Sequence, residues 1–361
     1  MIIESMELLQ YRNYPSLQVA FDPGTNIFYG DNAQGKTNAL EAIYVCCTTK
    51  SHRASRDKEL IRFEQDEAHI KLQVKKENVP YRIDMHLKKN KPKGIAVNGI
   101  SIRKASELFG IANVVFFSPE DLNIIKNGPS ERRRFLDLEL CQVNKLYVHA
   151  LVNYNKILIQ RNKLLKDLSF RPEYESTLEV WDEQLVRHGI PLMDYRKQFI
   201  DQLNQLIEDI HGKLTGKKEH LFLYYEPNVQ PEEFLSVLKK NRESDKKQKT
   251  TLAGPHRDDM SFFINRIDIR KFGSQGQQRS AALSLKLSEI NLVKQLIHDY
   301  PILLLDDVLS ELDSSRQNHL LNSINEIQTM ITCTGLDDFV GHRFPLNRVF
   351  KVTEGQICRE N

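Results

Sequence analysis

The chain has 361 residues, enough for two domains of ordinary size, with 40% hydrophobic residues, 27% charged residues and a net charge of +3. That composition is neither disordered nor membrane-like, and no apolar run approaches a bilayer span. The near-balanced charge leaves nucleic-acid binding to local basic patches.

Cys46, Cys47, Cys141, Cys333 and Cys358 are odd in number and scattered. They match neither a disulfide framework nor a zinc spacing, and read as reduced thiols of a cytoplasmic protein. The opening MIIESMELLQYRNY has no basic region followed by an apolar one, so no signal peptide is read.

In chain order, residues 2–9 read as a strand. Thr25–Tyr29 reads as a short strand entering the glycine loop Gly30–Thr37, and Asn38–Cys47 as the helix that follows. His69–Val74 and Tyr81–Leu87 alternate as strands. Asn98-Gly99 between apolar pairs predicts a type I′ hairpin. Val114–Phe117 reads as a buried strand, and Ser118-Pro119-Glu120-Asp121 as a helix start. From about 130 to 212 the spacing is helical, with a break near 169–172. Two stretches joined by that break predict an antiparallel helical hairpin, kinked or split at Gly189 and Pro191. The polar run Lys239–Lys249 reads as a boundary. Met260–Ile269 predicts a hairpin, Gly276–His298 a long helix, Ile302–Leu305 a strand, Ser314–Ile327 a helix and Met330–Cys333 a strand. The order α/β, helical, α/β predicts one core split by an insertion, with parts at 1–117, 118–250 and 251–361.

Gly30-Asp31-Asn32-Ala33-Gln34-Gly35-Lys36-Thr37 matches G-x-x-x-x-G-K-[ST]. Glycines let such a loop turn its N–H groups onto phosphate oxygens. Lys36 is then the β/γ-phosphate cation, Thr37 a Mg²⁺ ligand, and Asn38 the next residue of the nucleotide site. Ile302–Leu305 delivers Asp306 and Asp307: the first suits the metal, the second the attacking water. Phe272-Gly273-Ser274-Gln275-Gly276-Gln277-Gln278-Arg279 opens a long helix and resembles the signature of ABC-type ATPases. Ser310-Glu311-Leu312-Asp313 resembles their D-loop.

With Tyr11-Arg12-Asn13-Tyr14, SHRASRDKELIR (51–62), VVFFSPEDLNIIKNGPSERRRFLD (114–137) and AGPHRDD (253–259), these motifs resemble the RecF family within the SMC/ABC-type ATPases. The resemblance spans nearly the whole chain. It implies an SMC-head P-loop core with a short inserted helical arm. It implies that Arg12 and Asn13 approach the phosphates, and that Ser274, Gln275, Gly276, Gln277 and Asp313 meet the nucleotide of a second copy in an ATP-dependent homodimer. It further implies weak ATP hydrolysis as a switch, double-stranded and gapped DNA as ligand, RecR and RecO as partners, and RecA as the protein loaded. Two positions depart from the wider ABC class. Asp307 stands where most members have Glu, and Thr332-Cys333-Thr334 stands where transporters place a histidine. The choice between the two threonines stays open.

Basic clusters are candidates for phosphate-backbone contact. They comprise His52/Arg53/Arg56/Lys58/Arg62, with Arg53, Arg56 and Lys58 foremost, Lys88/Lys89/Lys91/Lys93, Arg132–Arg134 and Lys239–Lys249. Arg132–Arg134 has an alternative, pairing with Glu131 or Asp137 on its own helix. A transport ATPase subunit and another SMC-like head are the competing classes; the helical insertion and SQGQQR argue against the first.

Overall fold

The computed structural model describes residues 1–336, 339 and 346–360. They form two compact units, Met1–Asp121 with Lys286–Asn361, and Leu122–Leu285. The second unit therefore runs past 250 and ends inside the helix Gln275–Ile297.

The first unit holds two six-stranded sheets. In one, the order is Gln356–Glu360, Arg348–Thr353, Thr25–Tyr29, Thr329–Cys333, Ile302–Asp306, Val114–Phe117, parallel except for the first pair. ILLLD, TMITC and VVFF are buried at every position, as strands covered on both faces must be. The other sheet is antiparallel, in the order Tyr14–Ala20, Ile2–Tyr11, Glu67–Lys76, Val79–Lys88, Lys91–Val97, Ile100–Ser101. Its strands alternate buried and open positions, so one face meets the core and the other meets water. Asn98 and Gly99, at φ 51° and 81°, form the expected two-residue turn. The helix Lys36–Thr48 packs against strands of both sheets, which explains why it is buried nearly all round. Gln328 joins the sheets: its amide accepts from Ile3 N at 2.6 Å and donates to Ile3 O and Asp22 O at 2.8 Å. The helix expected over 314–327 stops at Ser323, because Ile324 and Ile327 turn into the core through a tight turn.

The second unit is built on helices Pro129–Val143, Lys145–Asp167 and Leu178–Thr215, with a three-stranded sheet of Ile267–Asp268, Asp259–Ile264 and Leu221–Glu226. Asn144 separates the first two helices, its side chain accepting from Leu146 N and Tyr147 N. Of the kink or split expected at Gly189 and Pro191, the split does not occur; Leu178–Thr215 is one helix of 38 residues. A proline inside a helix costs about 3 kcal/mol, and packing around Pro191 offsets it here. Gly189 lets Phe234 and Tyr154 come to 2.7 and 3.1 Å from where a Cβ would stand, and Leu185, Leu192 and Met193 are buried on either side.

The run Lys239–Lys249 is likewise no boundary. It lies in two short helices, Phe234–Lys240 and Arg242–Gln248, anchored in the unit. Asp245 and Asp182 are fully buried and hold Arg161 at 2.7 and 2.8 Å; Arg242 reaches Asp182 at 2.8 Å. Arg132 is buried, paired with Asp259 and donating to Ile124 O and Asn127 O, and Arg133 donates to the Asp258 carbonyl; the acid that Arg132 pairs with thus comes from the distant AGPHRDD segment rather than being Glu131 or Asp137. That segment forms a polar knot: Asp258 accepts from Arg196, Tyr225 and the Asn228 N–H.

Candidate nucleotide site

The loop after the strand Thr25–Tyr29 needs its glycines. Gly30 and Gly35 sit at φ +147° and +118°, and a Cβ at either would lie 2.4 Å from Val352 O or 2.5 Å from Asn13 Nδ2. Lys36 is buried, and its Nζ donates to Gly30 O at 2.6 Å and Asp31 O at 2.9 Å. Asp31, Asn32 and Ala33 form the exposed crest, with Ala33 at φ 64°. Two distant segments brace the loop. From the N-terminal side, Asn13 Nδ2 donates to Gln34 O at 2.8 Å, Tyr14 Oη donates to Gly35 O, and Asn38 donates to Asn13 Oδ1. From the C-terminal side, Gly355 N donates to Gln34 O at 3.1 Å and Glu354 N to Gln34 Oε1 at 2.6 Å. Sequence reasoning missed this second brace. Its signal was available as the dipeptide Glu354-Gly355 between the strands Arg348–Thr353 and Gln356–Glu360.

Asp306 ends its strand beside the loop. Its Oδ1 accepts from Thr37 Oγ1 and from Thr332 Oγ1, both at 2.7 Å. Burial pushes the Asp306 carboxyl up from its ordinary range, against the pull of those two hydroxyls. Thr332 also accepts from the Asp307 N–H at 3.0 Å. Asp307 takes a left-handed φ of 52°, so the chain turns sharply between the two acids. Thr332 is buried and touches both; Thr334 is exposed.

Arg12 is not aimed at the loop. Its guanidinium forks onto Glu41 at 2.8 Å through Nε and Nη2, and Nη1 donates to Glu59 O. Arg53 joins the same carboxylate at 3.0 Å and bonds Asn38, while Ser51 donates to it. Burial alone would raise the Glu41 carboxyl, but the hydrogen bonds from Arg12 and Ser51 and the two arginine charges outweigh it and hold it at about 2. This buried hub gathers Arg12, Ser51 and Arg53, from the YRNY and SHRASRDKELIR segments, onto Glu41 and ties the N-terminal motif to the helix after the loop. An open cleft of about 860 Å³ adjoins it, lined in part by Arg12, Asn13, Asn38, Arg53 and Lys58. Residues expected for nucleotide and residues expected for DNA therefore share one cleft. Arg56 is exposed nearby.

In the second unit, Ser274 caps the helix Gln275–Ile297. Its Oγ accepts from Gln277 N, and Gln277 Oε1 accepts from Ser274 N. Ser274, Gln275 and Gly276 are exposed, and a Cβ added at Gly276 would meet only Ser274 Oγ, at 3.9 Å. Gln277 Nε2 bonds Glu219 at 3.0 Å. In the first unit, Asp313 caps the helix Ser314–Ser323, accepting from Arg316 N at 3.0 Å.

The RecF/RecN/SMC N terminal domain family model matches residues 2–356. A DNA replication and repair protein RecF from Lachnospira eligens is 60% identical, with all of both chains covered; one from Clostridium botulinum is 47% identical over 99% of each. A solved structure of the recombination mediator protein RecF-ATP in the RecFOR pathway superposes with a TM-score of 0.93 at 34% identity, covering 99% of this chain and 97% of that one. The Smc head domain of Pyrococcus furiosus bound to a domain of ScpA gives a TM-score of 0.57 at 16% identity over 99% and 96%, a likeness of fold alone. A P-loop braced from both ends of the chain, two acids on a buried parallel strand and full-length similarity lead to one conclusion: the chain belongs to the RecF family, on an SMC-head ATPase fold.

Proposed function

We propose that the chain is an ATP-driven switch of recombinational DNA repair. The carrying observation is the convergence of Thr37 and Thr332 on one oxygen of Asp306, beside a glycine cradle that a Cβ would fill. These donors fit a magnesium nucleotide: backbone N–H groups and Lys36 for phosphates, a hydroxyl and a carboxylate for the metal. Mg²⁺ there supplies charge neutralisation of the phosphate oxygens. Lys36 exchanges its loop carbonyls for phosphate oxygens. Asp307 orients and deprotonates the attacking water, and its short side chain suits slow turnover. Thr332 fixes both acids.

Ser274 and Gly276 of one copy then meet the nucleotide of the other, where an exposed capped helix start offers N–H groups to an anion. The closed homodimer holds duplex DNA at single-strand gaps through Arg56 and Lys58, with Arg53 contributing what Glu41 leaves free. Its partners are RecR and RecO, and RecA is loaded downstream. The RecFOR setting of the solved relative supports this reading. Sedimentation of the chain with and without ATP, and with duplex or gapped DNA, tests it. ATP-dependent dimers that bind DNA in a salt-sensitive way are expected; a monomer under every condition overturns the switch.

A further inference from the structure

Away from the nucleotide site, the open face of the antiparallel sheet carries a cluster that the proposed function does not use. His69 on Glu67–Lys76 lies directly across from His86 on Val79–Lys88. The two rings stack with centroids 3.9 Å apart and planes 20° apart. Glu67, on the same face, completes the group, with His86 Nε2 3.1 Å and His69 Nε2 4.0 Å from its carboxylate oxygens. One ligand atom from each of the three residues lies within 4.8 Å of the others.

We propose that Glu67, His69 and His86 bind a zinc-class divalent cation. Zinc bonds of about 2.0–2.2 Å in a tetrahedron require ligand atoms roughly 3.3 Å apart, so side-chain shifts of roughly 1 Å close the site. Strand pairing supplies the preorganisation, because opposed residues on an antiparallel pair are held with their side chains adjacent. A neutral imidazole offers a ring nitrogen lone pair to a metal, and both histidines present one toward Glu67. The flanks leave room for a water as fourth ligand. His86 faces Gly94 on the next strand, and the other neighbour of His69 is the apolar Leu9. Two nitrogens and one oxygen select zinc, cobalt or nickel over magnesium, so the cluster does not compete for the metal of the nucleotide site. Lys88 lies 3.2 Å from the same Glu67 carboxylate and is the built-in competitor.

The test uses untagged, chelator-treated full-length protein carrying Cys358→Ser, which removes the exposed thiol, and no nucleotide. Co²⁺ titration should give a visible absorption band of a four-coordinate nitrogen–oxygen site, displaced by Zn²⁺ and not by millimolar Mg²⁺. The double variant His69→Gln/His86→Gln should lose at least about 10-fold in affinity, while Lys88→Gln should gain because its competing charge is gone. Zn²⁺ should raise the melting temperature of the parent and not of the double variant. No band in the parent, or equal affinity in the double variant, overturns the site. Should the double variant unfold, weaker binding by Lys88→Gln than by the parent overturns it instead.

Discussion

Gly355 donates its backbone N–H to the carbonyl of Gln34 at 3.1 Å, which seats the C-terminal hairpin on the phosphate loop. The contact admits no side chain. A Cβ on Gly355 would lie 2.4 Å from Asn13 O, and its φ is +74°. Gly355→Val should therefore strain the hairpin by about 1–2 kcal/mol and push Asn13 off the loop. ATP affinity by fluorescent titration should fall by about 10-fold, the equivalent of about 1.4 kcal/mol, with the fold retained. Glu354→Ala, which keeps the backbone donor, should bind as the wild type does. Equal affinity in both variants would remove the hairpin from the site.

The Glu41 hub makes a statement about acid stability. Its folded carboxyl, at about 2, lies below the ordinary 4.5. A depressed acid stabilises the fold above the unfolded value, and that contribution fades as pH falls from about 4.5 toward 2. Its size is at most about 3 kcal/mol, shared with Arg12 and Arg53. Glu41→Gln should be less stable at pH 7 and should show a flatter loss of stability between about pH 5 and 3. Chemical denaturation across that range checks both. Parallel acid limbs would show that the hub does not set this dependence.

Thr332→Val should slow ATP hydrolysis by roughly 10-fold or more, since it loosens both acids by removing a hydroxyl bonded to Asp306 and to the Asp307 N–H. ATP affinity should change little, and Thr332→Ser should restore turnover. Thr334→Val, at an exposed position, should behave as the wild type. The reverse ranking would make Thr334 the residue that matters.

Why the two threonines differ was not legible in the sequence. TCT gives hydroxyls at both positions, and only the strand register, Thr332 opposite Asp306, selects one. The loop itself was legible, because its glycine spacing and flanking strand and helix are local. The apolar runs gave the buried parallel strands for the same reason. The arm misled at two places. Pro191 and the run 239–249 carry strong local signals that burial of Gly189, Asp245 and Arg161 overrides. Arg132 and Arg133 read as a candidate phosphate-contact cluster or as partners of Glu131 or Asp137, because Asp259 and the Asp258 carbonyl, which they bond, lie 127 and 125 residues away. Glu41 is a lone acid in a helix, and nothing local marks it as a hub.

Ser274 both caps a helix and, in the proposed dimer, approaches a partner's phosphate. Ser274→Arg blocks the approach but also removes the cap, at a cost of about 1 kcal/mol. Ser274→Asp separates the two roles, because aspartate caps as well as serine while its charge repels an anion. Its melting temperature should match the wild type and ATP binding to the isolated chain should persist. ATP-dependent dimers by sedimentation should be lost. Dimers as abundant as in the wild type would overturn the composite site.

Asp307→Asn should trap the ATP-bound dimer on DNA. Asp306 accepts from Thr37 and Thr332 and is the proposed metal ligand, so replacing it should harm Mg²⁺ binding together with chemistry. Asp307 is one residue on, turned away by its left-handed backbone, with its N–H held by Thr332 and its carbonyl accepting from Ser310. Those bonds are backbone bonds and survive the substitution. Asparagine also tolerates positive φ, so the turn should persist without added strain. What changes is the side chain's ability to accept a proton. Single-turnover hydrolysis should fall by roughly 10²-fold or more if Asp307 is a general base, with ATP affinity nearly unchanged. In the proposed switch bound ATP drives closure, so the closed state should then live longer and DNA should leave more slowly in ATP. In ADP the variant and the wild type should release DNA alike, which separates a trapped switch from a tighter DNA surface. Wild-type hydrolysis would remove Asp307 from the chemistry. Slow hydrolysis with unchanged release would keep the chemistry and break its link to unloading.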